Sequence, residues 1–93
     1  MWRYVALTLL AMKDNAAVYN NPTYKAKFDS ILAFTEVNIW DKWWNRNHVH
    51  IYEQVMHMTA HWGIIAMMIW LLSTNNTRKN LCKTVIDNMN ING

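Results

Sequence analysis

The sequence predicts an all-α fold, a compact bundle of about four helices forming a single helical domain over residues 1–93. Three observations lead there. Gly occurs twice and Pro once in the chain, too few for the many tight turns of a β-sandwich or barrel. Hydrophobic residues make up 53% of the sequence, which sets it apart from disordered chains. Apolar residues also recur at three- and four-residue intervals along segments separated by Asn-rich strings, the periodicity of helices with a buried stripe. A domain of this size buries only roughly 60–65% of its unfolded surface. Large core side chains must compensate, and six Trp, seven Met and four Tyr are present to do so.

The first helix is expected over Trp2–Val18. Trp2, Val5, Ala6, Leu9 and Met12 share one face, which Leu7 and Leu10 widen. Arg3 followed by an apolar run imitates a signal peptide. The run stops at Met12, however, Lys13-Asp14 follow at once, and no small-x-small cleavage pattern is suitably placed. The string "YNNPTY" then breaks the chain. Asn21 suits a helix cap and Pro22 the first helical position, where its missing N–H costs nothing. The second helix runs on to about Trp44, with Tyr24, Phe28, Ile31, Leu32, Thr35 and Ile39 inward and Lys25, Asp29 and Glu36 outward. Lys42 would fall on the apolar side of a regular continuation, so an end or bend is expected near "WDKWWNRN".

A long central helix is expected over 47–73, roughly 40 Å at ~1.5 Å per residue. "STNNT" ends it with residues that prefer caps and turns. The last helix is expected over about Thr77–Asn88, capped by Asn76 or Thr77, with Leu81, Val85 and Met89 in a narrow stripe and a fraying end beyond. Short connections make successive helices antiparallel neighbours.

Charge and chemistry narrow the function. The net charge of +3 is spread over basic residues that form no run of five, whereas a nucleic-acid reader concentrates its charge on one face or arm. Nucleic acid is therefore not an expected partner. Lone Cys82 excludes an intramolecular disulfide and a multi-cysteine zinc site, reads as a small core residue, and points to a reducing, intracellular and cytoplasmic setting. No nucleophile–base pair, Gly-rich phosphate loop or carboxylate dyad is legible, so the chain reads as non-enzymatic and in need of no cofactor.

Three stretches carry candidate sites. "IWDKWWNRN" places Trp40, Trp43 and Trp44 beside Lys42 and Arg46. Trp and Arg are the residues most enriched at interface hot spots. Three indoles this close in sequence diverge on a helical wheel, so Trp40, Trp43, Trp44 and Arg46 form the expected surface for a protein partner or a homo-oligomer. The corresponding roles are accessory subunit, inhibitor or regulator; alternatively, the indoles plug the end of the bundle.

The second stretch holds all four histidines, between residues 48 and 61. His50, Glu53, His57 and His61 fall within one helical arc, and His57 and His61 have the i,i+4 spacing that lets two imidazoles meet one ion. Zinc or another transition metal is the matching cofactor, with haem a remoter one. A further ligand would come from Glu36, Asp41 or a partner chain. His57-x-x-x-His61-x-Gly63 resembles the end of the metal-binding motif of DinB-like four-helix proteins, which use another His on a separate helix. Here Ile64 follows the Gly and no His lies outside 48–61, so the resemblance covers these few residues. The same arc continues into Ile64, Met68, Leu71 and Leu72, which makes the histidines equally the polar end of a core-facing stripe.

The third is the uncharged stretch from Val55 to Leu72, just long enough for a membrane helix, with Thr59-x-x-x-Gly63 as a small-residue contact pattern. His57, Thr59 and His61 interrupt it, and the continuous apolar run is only Trp62–Leu72. A run of that length is more often a buried core helix. Membrane association is the remaining alternative.

Overall fold

Asparagine side chains set the helix boundaries. The computed structural model describes residues 2–52, 56–57 and 60–90. Helix α1 (Trp2–Asp14) stops short of the expected Val18 because Asn15 leaves the helical conformation (φ −103°, ψ 102°). Its Oδ1 accepts hydrogen bonds from the N–H groups of Ala17 (3.1 Å) and Val18 (3.3 Å), starting the short helix α2 (Ala16–Tyr19). Asn21 caps α3 (Pro22–Phe34) in the same way, accepting from Thr23 N–H at 3.0 Å and Tyr24 N–H at 3.3 Å. Asn75 caps the last helix, α6 (Asn76–Asp87), one residue before the expected position, accepting from Arg78 N–H at 2.9 Å. Its own N–H is donated to Ser73 Oγ at 3.0 Å.

Beyond α3 the helix does not end at the tryptophans, although its geometry changes there. It continues as a π-helical segment, Thr35–Asp41, and then as α4 (Lys42–Tyr52). The reason lies in the burial pattern. Phe28, Leu32, Glu36, Trp40 and Trp44 are all buried, at a constant spacing of four. In an α-helix four residues advance about 40° past a full turn, so Trp44 would stand about 160° around the axis from Phe28. The wider i→i+5 turns of a π-helix absorb that drift. One face therefore stays inward from Phe28 to Trp44, and Lys42 stands exposed rather than on the apolar side. At ~1.5 Å per residue, the helical run from Pro22 to Tyr52 accounts for the 44 Å long axis of the molecule.

The long helix expected over 47–73 is present as two helices and not one. Its start is α4, which ends at Tyr52; its end is α5 (Ala60–Leu72). Between them Met56–His57 (β1) is extended and pairs in parallel with Met89–Asn90 (β2), so the chain beyond α6 is tied back at that point. Apart from this two-residue ladder the described chain is helical.

Helix α5 occupies the centre, packed against α1, α6 and the π segment. Ile65, Ala66, Met68 and Ile69 are buried with Ala6 and Leu9 of α1, Trp40 of the π segment, and Cys82 and Val85 of α6. Gly63 is a close-approach position: a Cβ there would stand 2.5 Å from Met89 Cε. Leu7, expected to widen the inward face of α1, points out, as do Tyr24 and Ile31 of α3.

Candidate functional site

The tryptophans pack against one another inside the chain. Trp40 has no exposed surface and Trp44 keeps 8% of its own, while Trp43 is half-buried and Arg46 exposed. Trp40 stacks on Trp44 with ring centroids 5.7 Å apart, and Trp43 stacks on Trp62 of α5 at 4.2 Å. Trp40 and Trp43 both meet Trp62 and so join the π segment and α4 to α5, while Trp44 is buried beside Trp40. Arg46 donates from Nε to Lys42 O at 3.3 Å, within its own helix.

Beside this stack lies the one long-range polar cluster among the described residues. Arg78 of α6 reaches the π segment with its whole fork. Nε donates to Asp41 Oδ1 (3.0 Å), Nη2 to Asp41 Oδ2 (2.6 Å) and Nη1 to Glu36 Oε2 (3.0 Å). Bidentate, charge-assisted geometry of this kind is the strongest form of hydrogen bonding between side chains. It explains why Glu36, expected to face outward, is buried. The hydrogen bond that Arg78 donates to Asp41 also holds the guanidinium pKa above its ordinary value, against the opposing effect of burial. Two buried polar atoms close the picture: Glu36 Oε1 and Trp40 Nε1 have no hydrogen-bond partner among the described residues.

A groove of about 540 Å³ runs over this cluster, lined by Asp41, Trp44, Asn45, Asn75, Thr77, Arg78 and Leu81. Its chemistry is limited. The Arg78 fork already faces two carboxylates, so an incoming anion would have to displace one of them. Cys82, close by on α6, is fully buried, and desolvation pushes its thiol up to about 12. A thiol is a nucleophile only as the thiolate. In the folded protein Cys82 is therefore expected to resist iodoacetamide at pH 8 and to react at the rate of a free thiol once urea has unfolded the chain. Rapid alkylation of the native protein would contradict its burial.

The histidines are only partly within view. Glu53 and the side chains of His50 and His57 lie outside the described residues. His48 sits against Trp44, its ring stacked at 5.5 Å and Nδ1 2.9 Å from Trp44 O, which assigns a donor role to that nitrogen. His61 is half-buried and meets Trp62 edge-on at 5.4 Å. Among the described residues no three His, Cys, Asp or Glu side chains converge as metal ligands would.

Burial lowers the pKa of His61 below 6.5, and positive charge nearby, Arg3 included, acts in the same direction. The unfolded chain thus takes up a proton that the folded chain resists, so stability is greater at higher pH and falls as pH drops below about 6.5. The loss levels off once pH lies below the folded-state pKa. A His61→Gln variant is expected to show a flatter dependence of the urea midpoint between pH 7 and pH 5; an unchanged slope would assign the dependence to other groups.

The remaining candidate surface is apolar. Helix α1 stands as a ridge between two shallow grooves. One, of about 460 Å³, is lined by Trp2, Tyr4, Val5, Thr8, Leu9, Met12 and Ile31. The other, of about 320 Å³, is lined by Leu7, Leu10, Ala60, Gly63, Ile64, Met67, Ile86 and Met89. Tyr4 (61% exposed), Leu7 (47%), Ile31 (40%) and Met67 (36%) stand in these walls. Phe34, 49% exposed, extends the first groove through its stack on Trp2 at 5.7 Å. Val37 and Leu71, each about half-exposed, continue the helices of Phe34 and Met67 by one turn. Sequence periodicity placed Leu7, Ile31 and Leu71 on apolar faces but could not show which apolar residues the fold leaves uncovered.

No helix of the described residues is long and apolar enough to cross a membrane. No family model, curated protein or solved structure matches the chain.

Proposed function

We propose that the chain is a non-enzymatic protein that works by protein–protein contact, with itself or with another chain, through the apolar belt centred on α1. One observation supports this above the others: among the described residues the exposed side chains of Tyr4, Leu7, Ile31 and Met67 line the two grooves beside α1, and exposed Phe34 stacks on Trp2 in one of them. Exposed apolar surface gathered in one place costs solubility and is characteristic of association sites. Of the surface expected from the sequence, Trp40 and Trp43 support the fold by packing the π segment and α4 on Trp62 of α5, Trp44 is buried beside Trp40, and Arg46 stays exposed. Metal, cofactor and nucleic acid have no part in this reading. A reducing, cytoplasmic setting accords with a lone cysteine kept in the core.

The test is native mass. The wild-type chain is expected in assemblies heavier than its own 11.1 kDa. A Leu7→Lys/Met67→Lys variant should weaken association by about tenfold or more, the equivalent of ~1.4 kcal/mol. Both positions are already exposed, so the variant retains its helical circular dichroism. Wild type and variant both running as monomers, alone and in extract of the source cells, would overturn the proposal.

A further inference from the structure

The geometry of α1 points to a second copy of this chain as the occupant of the belt, with the two α1 helices antiparallel across a two-fold axis. This inference rests on the association reading above and specifies its partner. Arg3, Leu7, Ala11 and Asp14 are all exposed and follow one another at intervals of four, four and three residues, so they form one stripe along the helix. The stripe carries opposite charges at its ends, about 16 Å apart at the α-helical rise. Neither charge forms an ion pair among the described residues. Arg3 meets its neighbour Tyr4, with a 3.2 Å hydrogen bond to the hydroxyl and its guanidinium 5.0 Å from the ring centroid. Asp14 forms no ion pair among the described residues, and adjacent Lys13 is turned to the Tyr19 ring at 4.0 Å.

A two-fold axis passing near Thr8 and Leu9 brings Arg3 of each copy opposite Asp14 of the other. The same operation sets Leu7 within one residue's rise, ~1.5 Å, of the small Ala11 of the second copy, so a protruding side chain meets a low point of the facing ridge. An isologous contact requires this kind of self-complementarity. A parallel arrangement would oppose like charges. Each copy must contribute roughly 800 Å² to a stable interface of standard size. One short helix is insufficient, but the groove walls beside α1, Ile31 on one side and Met67 on the other, enlarge the contact on both flanks.

The test is a charge-reversal cycle read by sedimentation equilibrium at low salt, where such pairs are least screened. Wild type should be a dimer. Arg3→Glu and Asp14→Arg should each raise its dissociation constant by about tenfold, because every substitution opposes two like pairs per dimer. The double variant Arg3→Glu/Asp14→Arg, which recreates both pairs in reverse, should return close to the wild-type value. Ala11→Arg should leave a folded monomer. A wild-type dimer indifferent to the reversals, or a double variant no tighter than the singles, would overturn the antiparallel pairing while leaving self-association standing. A monomer that forms Leu7-dependent complexes with a different protein would exclude the second copy and retain the association reading. A monomer that instead binds phosphatidylglycerol-containing vesicles would overturn both.

Discussion

A Trp40→Ala variant is expected to lose about 3–5 kcal/mol of stability, the range for truncating a buried aromatic side chain. A chain of 93 residues holds roughly 5–14 kcal/mol in total, so this single change removes a large share of it. The position explains the size of the effect. Trp40 is fully buried, and its ring centroid lies 5.5, 5.7 and 6.4 Å from those of Trp43, Trp44 and Trp62. Removing it opens a cavity that no flexible neighbour can fill, since the adjoining indoles hold one another in place. Two companions separate packing from hydrogen bonding. Trp40→Phe keeps an aromatic ring and removes the buried Nε1 that has no partner among the described residues, so its cost should be about half that of the alanine variant. Trp43→Ala, at a half-buried site, should cost less than Trp40→Ala. Urea denaturation followed by circular dichroism at 222 nm gives all three values. A Trp40→Ala penalty below about 1 kcal/mol would mean that the cluster is not the packed centre described above.

The local parts of this fold were open to a reading from sequence, and the parts that depend on distant residues were not. Asn21-Pro22 announced a helix start because cap and first-turn geometry are decided within four residues. Asn15 obeys the same chemistry but was hidden inside an apolar pattern that continued to Val18, and the adjoining Lys13-Asp14 was its only signal. The π segment shows the limit more sharply. Spacing by fours from Phe28 to Trp44 is written in the sequence, yet Glu36 stands in the middle of the series and looks like its solvent side. Only Arg78, 42 residues further along, makes that glutamate acceptable in the interior. The histidine and apolar stretch within 47–73 reads as one helix because its apolar face is continuous on a wheel. Periodicity reports which residues share a face, but it is blind to a break in the backbone between them. For the candidate sites, the wheel distinguished neither of two equally apolar outcomes. Trp40 and Trp44 turned inward, Leu7 and Met67 outward, and the choice was made by where α5 fits.

The cluster that joins the two halves of the chain yields the second large effect. Arg78→Met is expected to cost about 3 kcal/mol, the lower end of the range for breaking a buried ion pair by removing one partner. The lower end applies because Asp41 keeps 34% of its side-chain surface, although Glu36 keeps only 11% and Arg78 17%. The penalty arises mainly from the two carboxylates left desolvated on the π segment, not from the contacts that Arg78 itself loses. Arg78→Lys would restore the charge without the planar fork and should recover only part of the loss. The decisive variant removes every charge at once. In Glu36→Gln/Asp41→Asn/Arg78→Met no buried charge remains unpaired, and stability should return to within about 1 kcal/mol of wild type. Amide hydrogen exchange locates the damage: in Arg78→Met the amides of α6 should exchange faster than those of α3, since α6 is held to the π segment by this residue. If the single variant loses less than about 1 kcal/mol, the cluster behaves as a solvated surface pair, and the burial of Glu36 must then rest on the packing of Trp40 and Trp44 alone.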